Sequence, residues 1–110
     1  MTPEAIELVA SRFRVLGEPL RLRLLQQLAL AERSVSELAA LLGTSQPNVS
    51  KHLKLMQDAG LVTRRADKNA AYYSLADDSV FALCDIVCGR LADRLSTQAE
   101  AFSAPRRGRR

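Results

Sequence analysis

The chain has 110 residues, of which 47% are apolar and 25% charged, the size and balance of one globular domain rather than of a disordered chain. No stretch approaches the roughly 18 consecutive apolar residues that a membrane-spanning helix needs. The opening segment MTPEAIELVASRFR has no unbroken apolar run, so it does not read as a signal peptide. Two cysteines are too few for a disulfide scaffold and suit a reducing cytoplasm.

The net charge is +4, and its placement says more than its total. Four of the 16 basic side chains are the arginines at 106, 107, 109 and 110, and the remaining 12 equal the 12 acids in number. The body is thus neutral overall. Within it, residues 44–75 hold Lys51, Lys54, Arg64, Arg65 and Lys68 against only Asp58 and Asp67. Two basic concentrations on a neutral body suit an anionic partner, nucleic acid first among them. A solvated charged face and tail account for the same counts equally well.

In chain order, Ile6, Val9, Phe13 and Leu16 recur at helical spacing, with Thr2 as N-cap, Pro3 in the first turn and Gly17 as a stop. A second helix starts near Glu18-Pro19 and runs to about residue 31, with Leu20, Leu24, Leu25 and Leu28 on one face. Ser34 and Glu37 have the spacing of a capping box at the start of a third helix. Leu38, Leu41 and Leu42 form its expected core face, and Gly43 its C-cap. Ser45 caps a fourth helix, with Val49, Leu53 and Met56 inward and Gly60 at its end. The period then shortens to two. LVTRR (61–65) and AYYSL (71–75), parted by Asp67-Lys68-Asn69, predict a two-stranded hairpin. Asp77 or Asp78 can cap a last long helix over Ser79–Phe102, whose apolar stripe is Val80, Phe81, Cys84, Val87, Cys88, Leu91 and Leu95. A disordered basic tail is expected over 103–110.

Three or four residues with a glycine at the corner separate the third and fourth helices, as a helix-turn-helix requires. The second helix of such a unit enters the DNA major groove by its N-terminal residues. Here Gln46 and Asn48 can pair bidentately with adenine, and Lys51 can reach guanine. Ser45 and Lys54 can hold phosphates, and Ser50 lies on or near the same outer face. A hairpin directly after a recognition helix is a wing, and Arg64, Arg65 and Lys68 on it can straddle the adjacent phosphate backbone. Plain helical corners share this geometry. Against that bland reading stands an outer face over 45–54 that is cationic and free of carboxylates. His52, the single histidine, suits local packing or hydrogen bonding better than metal binding.

Several segments, in this order and spacing, resemble the ArsR/SmtB family of bacterial winged-helix repressors: LGEPLRLRLL (16–25), SELA (36–39), SQPNVSKHL (45–53), MQDAGLV (56–62) and YYSL (72–75). The resemblance covers roughly residues 4–99. It implies homodimers joined largely by the first and last helices, which bind operator DNA and release it when an inducer binds. The apolar stripes of both terminal helices agree with a dimer. The family's sensing patterns are missing. SELAALL (36–42) lacks the Cys-x-Cys of arsenite sensors, and the last helix has no histidine for a zinc-type site. The second helix offers Gln26 and Gln27 where persulfide sensors resembling this chain place a cysteine.

Cys84 and Cys88 lie one turn apart on one face of the last helix. As free cysteines in an apolar stripe they can simply pack. Alternatively they form an inducer or redox site. Two thiolates suit As(III), Hg(II) or zinc, with four sulfurs available across a two-fold axis, and thiol oxidation is the other route. Adjacent Asp85 discourages thiolate formation, and a disulfide within one helix turn is strained.

The expectation is therefore a mainly α fold with a small β-hairpin, a winged helix-turn-helix over 1–102 that dimerises through its terminal helices. Its expected function is sequence-specific repression on double-stranded operator DNA in the cytoplasm, relieved by a thiol-reactive inducer. The alternatives are a regulator of this type with no metal or thiol sensing, and a protein-interaction module that has lost DNA binding. With no paired-carboxylate cleft, coherent cysteine–histidine site or phosphate-binding glycine loop, an enzyme is not expected.

Overall fold

The computed structural model describes residues 1–102, with side chains described through residue 96. The basic tail expected at 103–110 lies outside the described residues. Five helices and three short strands follow one another as α1 (Pro3–Leu16), α2 (Pro19–Leu30), β1 (Arg33–Ser34), α3 (Val35–Leu42), α4 (Gln46–Asp58), β2 (Val62–Asp67), β3 (Ala70–Leu75) and α5 (Ser79–Phe102). The chain divides into a unit Met1–Asp77 and a second that begins at Asp78.

In the first unit, local chemistry sets the helix starts. The Thr2 hydroxyl accepts from the Ala5 amide at 3.1 Å, and a Glu18 carboxylate oxygen accepts from the Leu20 amide at 2.7 Å. Ser34 and Glu37 close the expected capping box. The Ser34 amide donates to Glu37 at 2.7 Å, and the Glu37 amide donates to the Ser34 hydroxyl at 3.2 Å. The Ser34 amide, and after it the Ser34 hydroxyl, favour the charged form of the Glu37 carboxylate and hold its pKa below the usual range.

The core is built by α2, α3 and α4. Leu24, Leu25 and Leu28 of α2 meet Leu38, Ala39 and Leu42 of α3 and Val49, Leu53 and Met56 of α4, closed by Leu61, Val62 and Tyr73 at the sheet. Each fully buried leucine here contributes about 1.5–3 kcal/mol of transfer free energy. Leu41, expected on the core face of α3, is half exposed at 50%. The inward face of that short helix runs through 38, 39 and 42, so Ala39 occupies the place assigned to Leu41.

The β part differs from the two-stranded hairpin predicted. β1 adds to its edge, giving the antiparallel order β1-β3-β2 with Arg33 opposite Tyr73 and Ser34 opposite Tyr72. A two-residue strand cannot display period-two alternation, so its pairing has no local signature. β2 and β3 pair from Val62–Leu75 to Asp67–Ala70 across a two-residue loop, Lys68-Asn69.

In the second unit, α5 carries Ile86, Val87, Leu91 and Leu95 exposed. α1 of the first unit likewise leaves Ile6, Leu8, Val9 and Phe13 exposed and buries only Leu16. No helix among the described residues is long and apolar enough to cross a membrane.

Candidate nucleic-acid interface

The turn between α3 and α4 depends on Gly43, whose backbone is left-handed (φ 66°, ψ 38°), a conformation that costs a side-chain-bearing residue free energy. The Thr44 amide then donates to the Ala39 carbonyl at 3.1 Å, and the Ser45 hydroxyl accepts from the Asn48 amide at 3.2 Å, starting α4. The buried face of α4 (Val49, His52, Leu53, Met56) faces the core, which leaves Gln46, Ser50, Lys51 and Lys54 exposed on the other side.

These candidates are not equally free. Gln46 stands at the head of α4 and borders a cleft of about 200 Å³ shared with Ser34, Ser36, Asn69 and Ala71. The start of α4, the start of α3 and the hairpin turn therefore converge. Asn48 is half buried, and its amide group donates to the Thr44 hydroxyl at 3.0 Å. Lys54 pairs with Asp58 at 3.1 Å, an exposed pair of the kind worth about 0–1 kcal/mol and readily exchanged for another anion. Lys51 is exposed, with no ion pair to any described residue.

On the hairpin, the strand period sends Arg64 and Arg65 to opposite faces. Arg64 and Lys68 are exposed and make no ion pair with described residues. The Lys68 backbone is left-handed (φ 56°), the one such non-glycine residue among those described. Arg65 is fully engaged. Its guanidinium grips Glu32 at 2.8 and 3.1 Å, lies 3.5 Å from Asp67, and stacks over the Tyr72 ring at 5.0 Å. The pairing raises the arginine's pKa and lowers that of Glu32, each mainly through the bond to the other.

His52 is buried at 7% exposure, and its Nδ1 accepts from Arg21 Nε at 3.0 Å. The same guanidinium donates to the Val15 carbonyl at 3.1 Å near the end of α1. Burial pushes the His52 pKa down, and neighbouring Arg21 and Lys51 add to this against a weaker opposing pull from Glu18. The imidazole is therefore a neutral acceptor. Sequence reasoning did not pick out Glu32, Arg21 or Thr44. The first two act over long separations that leave no local pattern, whereas Thr44 and Asn48 have the readable i, i+4 spacing of a helix-start pair.

On α5, Cys84 is half buried and Cys88 exposed. Burial pushes the Cys84 thiol up, reinforced by Cys88 and Asp85. No group of three or more His, Cys, Asp or Glu among the described residues is arranged to hold a metal ion.

Comparison with known proteins agrees with this geometry. Residues 16–65, from the end of α1 through most of β2, match the helix-turn-helix domain family. The chain is 36% identical over 93 residues to the transcriptional repressor SmtB homolog of Synechocystis, covering 84% of this chain and 70% of that protein. The crystal structure of Rv0081 from Mycobacterium tuberculosis superposes with a TM-score of 0.77 at 34% identity, over 90% of this chain and 99% of that one. The chain belongs to the ArsR/SmtB family. A third likeness is to the homodimeric winged helix-turn-helix DNA-binding domain of Mb0332 from Mycobacterium bovis, a possible ArsR-family transcriptional regulator, with a TM-score of 0.73 at 28% identity over 83% of this chain and 87% of that one. ArsR/SmtB proteins are DNA-binding transcriptional regulators rather than enzymes, and the fold here is their winged helix-turn-helix.

Proposed function

We propose that this chain is a cytoplasmic, homodimeric repressor that reads operator DNA with the N-terminal half of α4. Gln46, Asn48 and Lys51 contact bases, while Ser45, Ser50, Lys54, Arg64 and Lys68 hold the backbone. The observation that carries this reading is the outer face of α4, exposed and without a carboxylate before Asp58, beside a hairpin whose Arg64 and Lys68 are uncommitted. Such an arrangement supplies both base-reading and backbone-positioning groups. The test is binding to duplexes selected from a random-sequence pool, followed by fluorescence anisotropy across a salt series. Gln46→Ala should cost about 1–3 kcal/mol on the selected duplex and little on random DNA. Equal losses on both would reject base reading by α4.

The exposed apolar residues of α1 and α5 support the dimer, in which two recognition helices meet half-sites about one DNA turn apart. For the switch we favour a thiol-reactive inducer, metalloid, metal or oxidant, acting at Cys84 and Cys88. Two thiols supply only two ligands, so a metalloid such as As(III) or a thiophilic metal would draw further donors from the second copy. A second reading, a regulator with no thiol sensing, is favoured by the raised pKa of Cys84, which keeps its thiol protonated. Serine at both positions separates them. Loss of release by arsenite, mercuric ion, peroxide or polysulfide with DNA binding kept supports sensing; indifference of the native protein to all four supports packing.

A further inference from the structure

We infer that Arg65 is a positioning residue of the wing rather than a phosphate contact, and that with Glu32 it forms a latch across the sheet. The inference rests on the DNA-binding reading above and goes beyond it by assigning a role to a residue outside the reading helix.

The latch follows from sheet order. β3 lies between β1 and β2, so the two outer strands are about 10 Å apart and share no backbone hydrogen bonds. Arg65 on β2 faces Tyr72 on β3, and Tyr72 faces Ser34 on β1, so these side chains share one face of the pleat. Glu32, two residues before Ser34, continues that face. The Arg65 side chain crosses β3 above the Tyr72 ring at 5.0 Å and closes on Glu32 with two bonds, of 2.8 and 3.1 Å. It therefore ties the far edge of the hairpin to the link between α2 and β1, directly before the capping box of α3. The helix-turn-helix and the wing are held together by this strap as well as by β3.

The same geometry disqualifies Arg65 as a phosphate ligand. Nε and Nη2 are spent on Glu32, Nη1 faces Asp67 at 3.5 Å, and one face of the guanidinium plane lies over the Tyr72 ring. One guanidinium with two carboxylates is a net anion, which repels a phosphate. A bidentate guanidinium–carboxylate pair stacked on an aromatic ring is also a geometry that lysine cannot reproduce.

The experiment compares Arg65→Ala, Arg65→Lys, Glu32→Ala and the double alanine variant with Arg64→Ala. It uses the selected duplex across a salt series, together with amide hydrogen exchange of the DNA-free protein. A latch predicts that the four variants lose affinity by one common factor of about fivefold, the double no worse than either single. Their slope of log affinity against log salt should stay at the wild-type value, while Arg64→Ala flattens it by about 0.9. Amides of β2 and β3 should exchange faster in all four. A phosphate contact predicts otherwise: Arg65→Ala flattens the slope, Arg65→Lys binds like wild type, and Glu32→Ala binds tighter because it frees a cation. Any of those results overturns the inference, as does unchanged exchange in the hairpin. If the wild-type protein selects no duplex, the DNA reading fails on its own, and hydrogen exchange still decides whether the latch exists.

Discussion

At the scale of single residues, two side chains hold states that only their surroundings explain. His52 is buried as a neutral acceptor for Arg21, beside cations that oppose its protonation. Its folded pKa lies below the unfolded value near 6.5, so between these two values the unfolded chain binds more protons. Stability is complete above the unfolded pKa and falls as pH drops through it toward the folded one. Urea melts between about pH 7 and pH 5 should show this loss, and His52→Gln, which keeps an acceptor oxygen but does not titrate, should remove it. An equal acid loss in the glutamine variant would place the titrating group elsewhere. Lys68 is the second case. Its left-handed backbone occupies the first position of a two-residue hairpin loop, where glycine is at home. Lys68→Gly should raise stability by about 1 kcal/mol by relieving that conformation. It should also weaken DNA binding and flatten the salt slope by about 0.9, the signature of one lost phosphate contact. Gain in one property and loss in the other, measured on one variant, distinguishes a residue retained for binding from one retained for folding.

At the scale of elements, α3 is a helix of eight residues that must stay in place for α4 to be presented. Helices this short are marginal on propensity alone, so caps and packing decide whether they form. Ser34→Ala removes one arm of the capping box and should cost about 1 kcal/mol in a thermal or urea melt. Because Ser34 also pairs with Tyr72 through β1, exchange should quicken in the amides at the start of α3 and at the β1–β3 edge together. Quickening in α3 alone would show that the strand pairing does not depend on the cap. The contrast between Gln46 and Asn48 belongs here too. Gln46 is exposed at the head of α4, whereas Asn48 is half buried and its amide group donates to the Thr44 hydroxyl at the turn. Thr44→Val should therefore disturb the readout attributed to Asn48 while leaving that of Gln46 intact, which base-by-base selection on the variant measures.

At the scale of the whole molecule, exposed apolar surface is the dominant unexplained quantity. On α1, Ile6, Val9 and Phe13 are 52%, 43% and 54% exposed, and on α5 Val87, Leu91 and Leu95 are 47%, 53% and 56% exposed. Each set follows helical spacing, so each is a stripe rather than scattered residues. A second copy of the chain is the proposed cover. Light scattering at micromolar concentration should then give about twice the 12.1 kDa chain mass. Phe13→Asp should shift the protein toward monomer and lower operator affinity, because a single recognition helix meets a single half-site. Phe13 is absent from the core, so the variant should remain folded by circular dichroism. A monomeric wild type with intact folding would reject the dimer.

The helices, their caps and the winged helix-turn-helix order were legible in the chain itself, because they rest on local chemistry: a hydroxyl three residues from an amide, a glycine at a left-handed turn, leucines at helical spacing. The exposed cations of the wing could be counted in the same way, but their availability could not. Arg64 and Arg65 are neighbours in sequence and identical in type, yet one is uncommitted and the other is bound to Glu32, 33 residues away. Likewise β1, Arg21 with His52, and the displacement of Leu41 by Ala39 in the core depended on what the folded chain brings near. Local hydrogen-bonding patterns have short periods that a sequence displays directly. Long-range charge pairing and burial depend on the packing of several elements at once, and that was decided only in the tertiary structure.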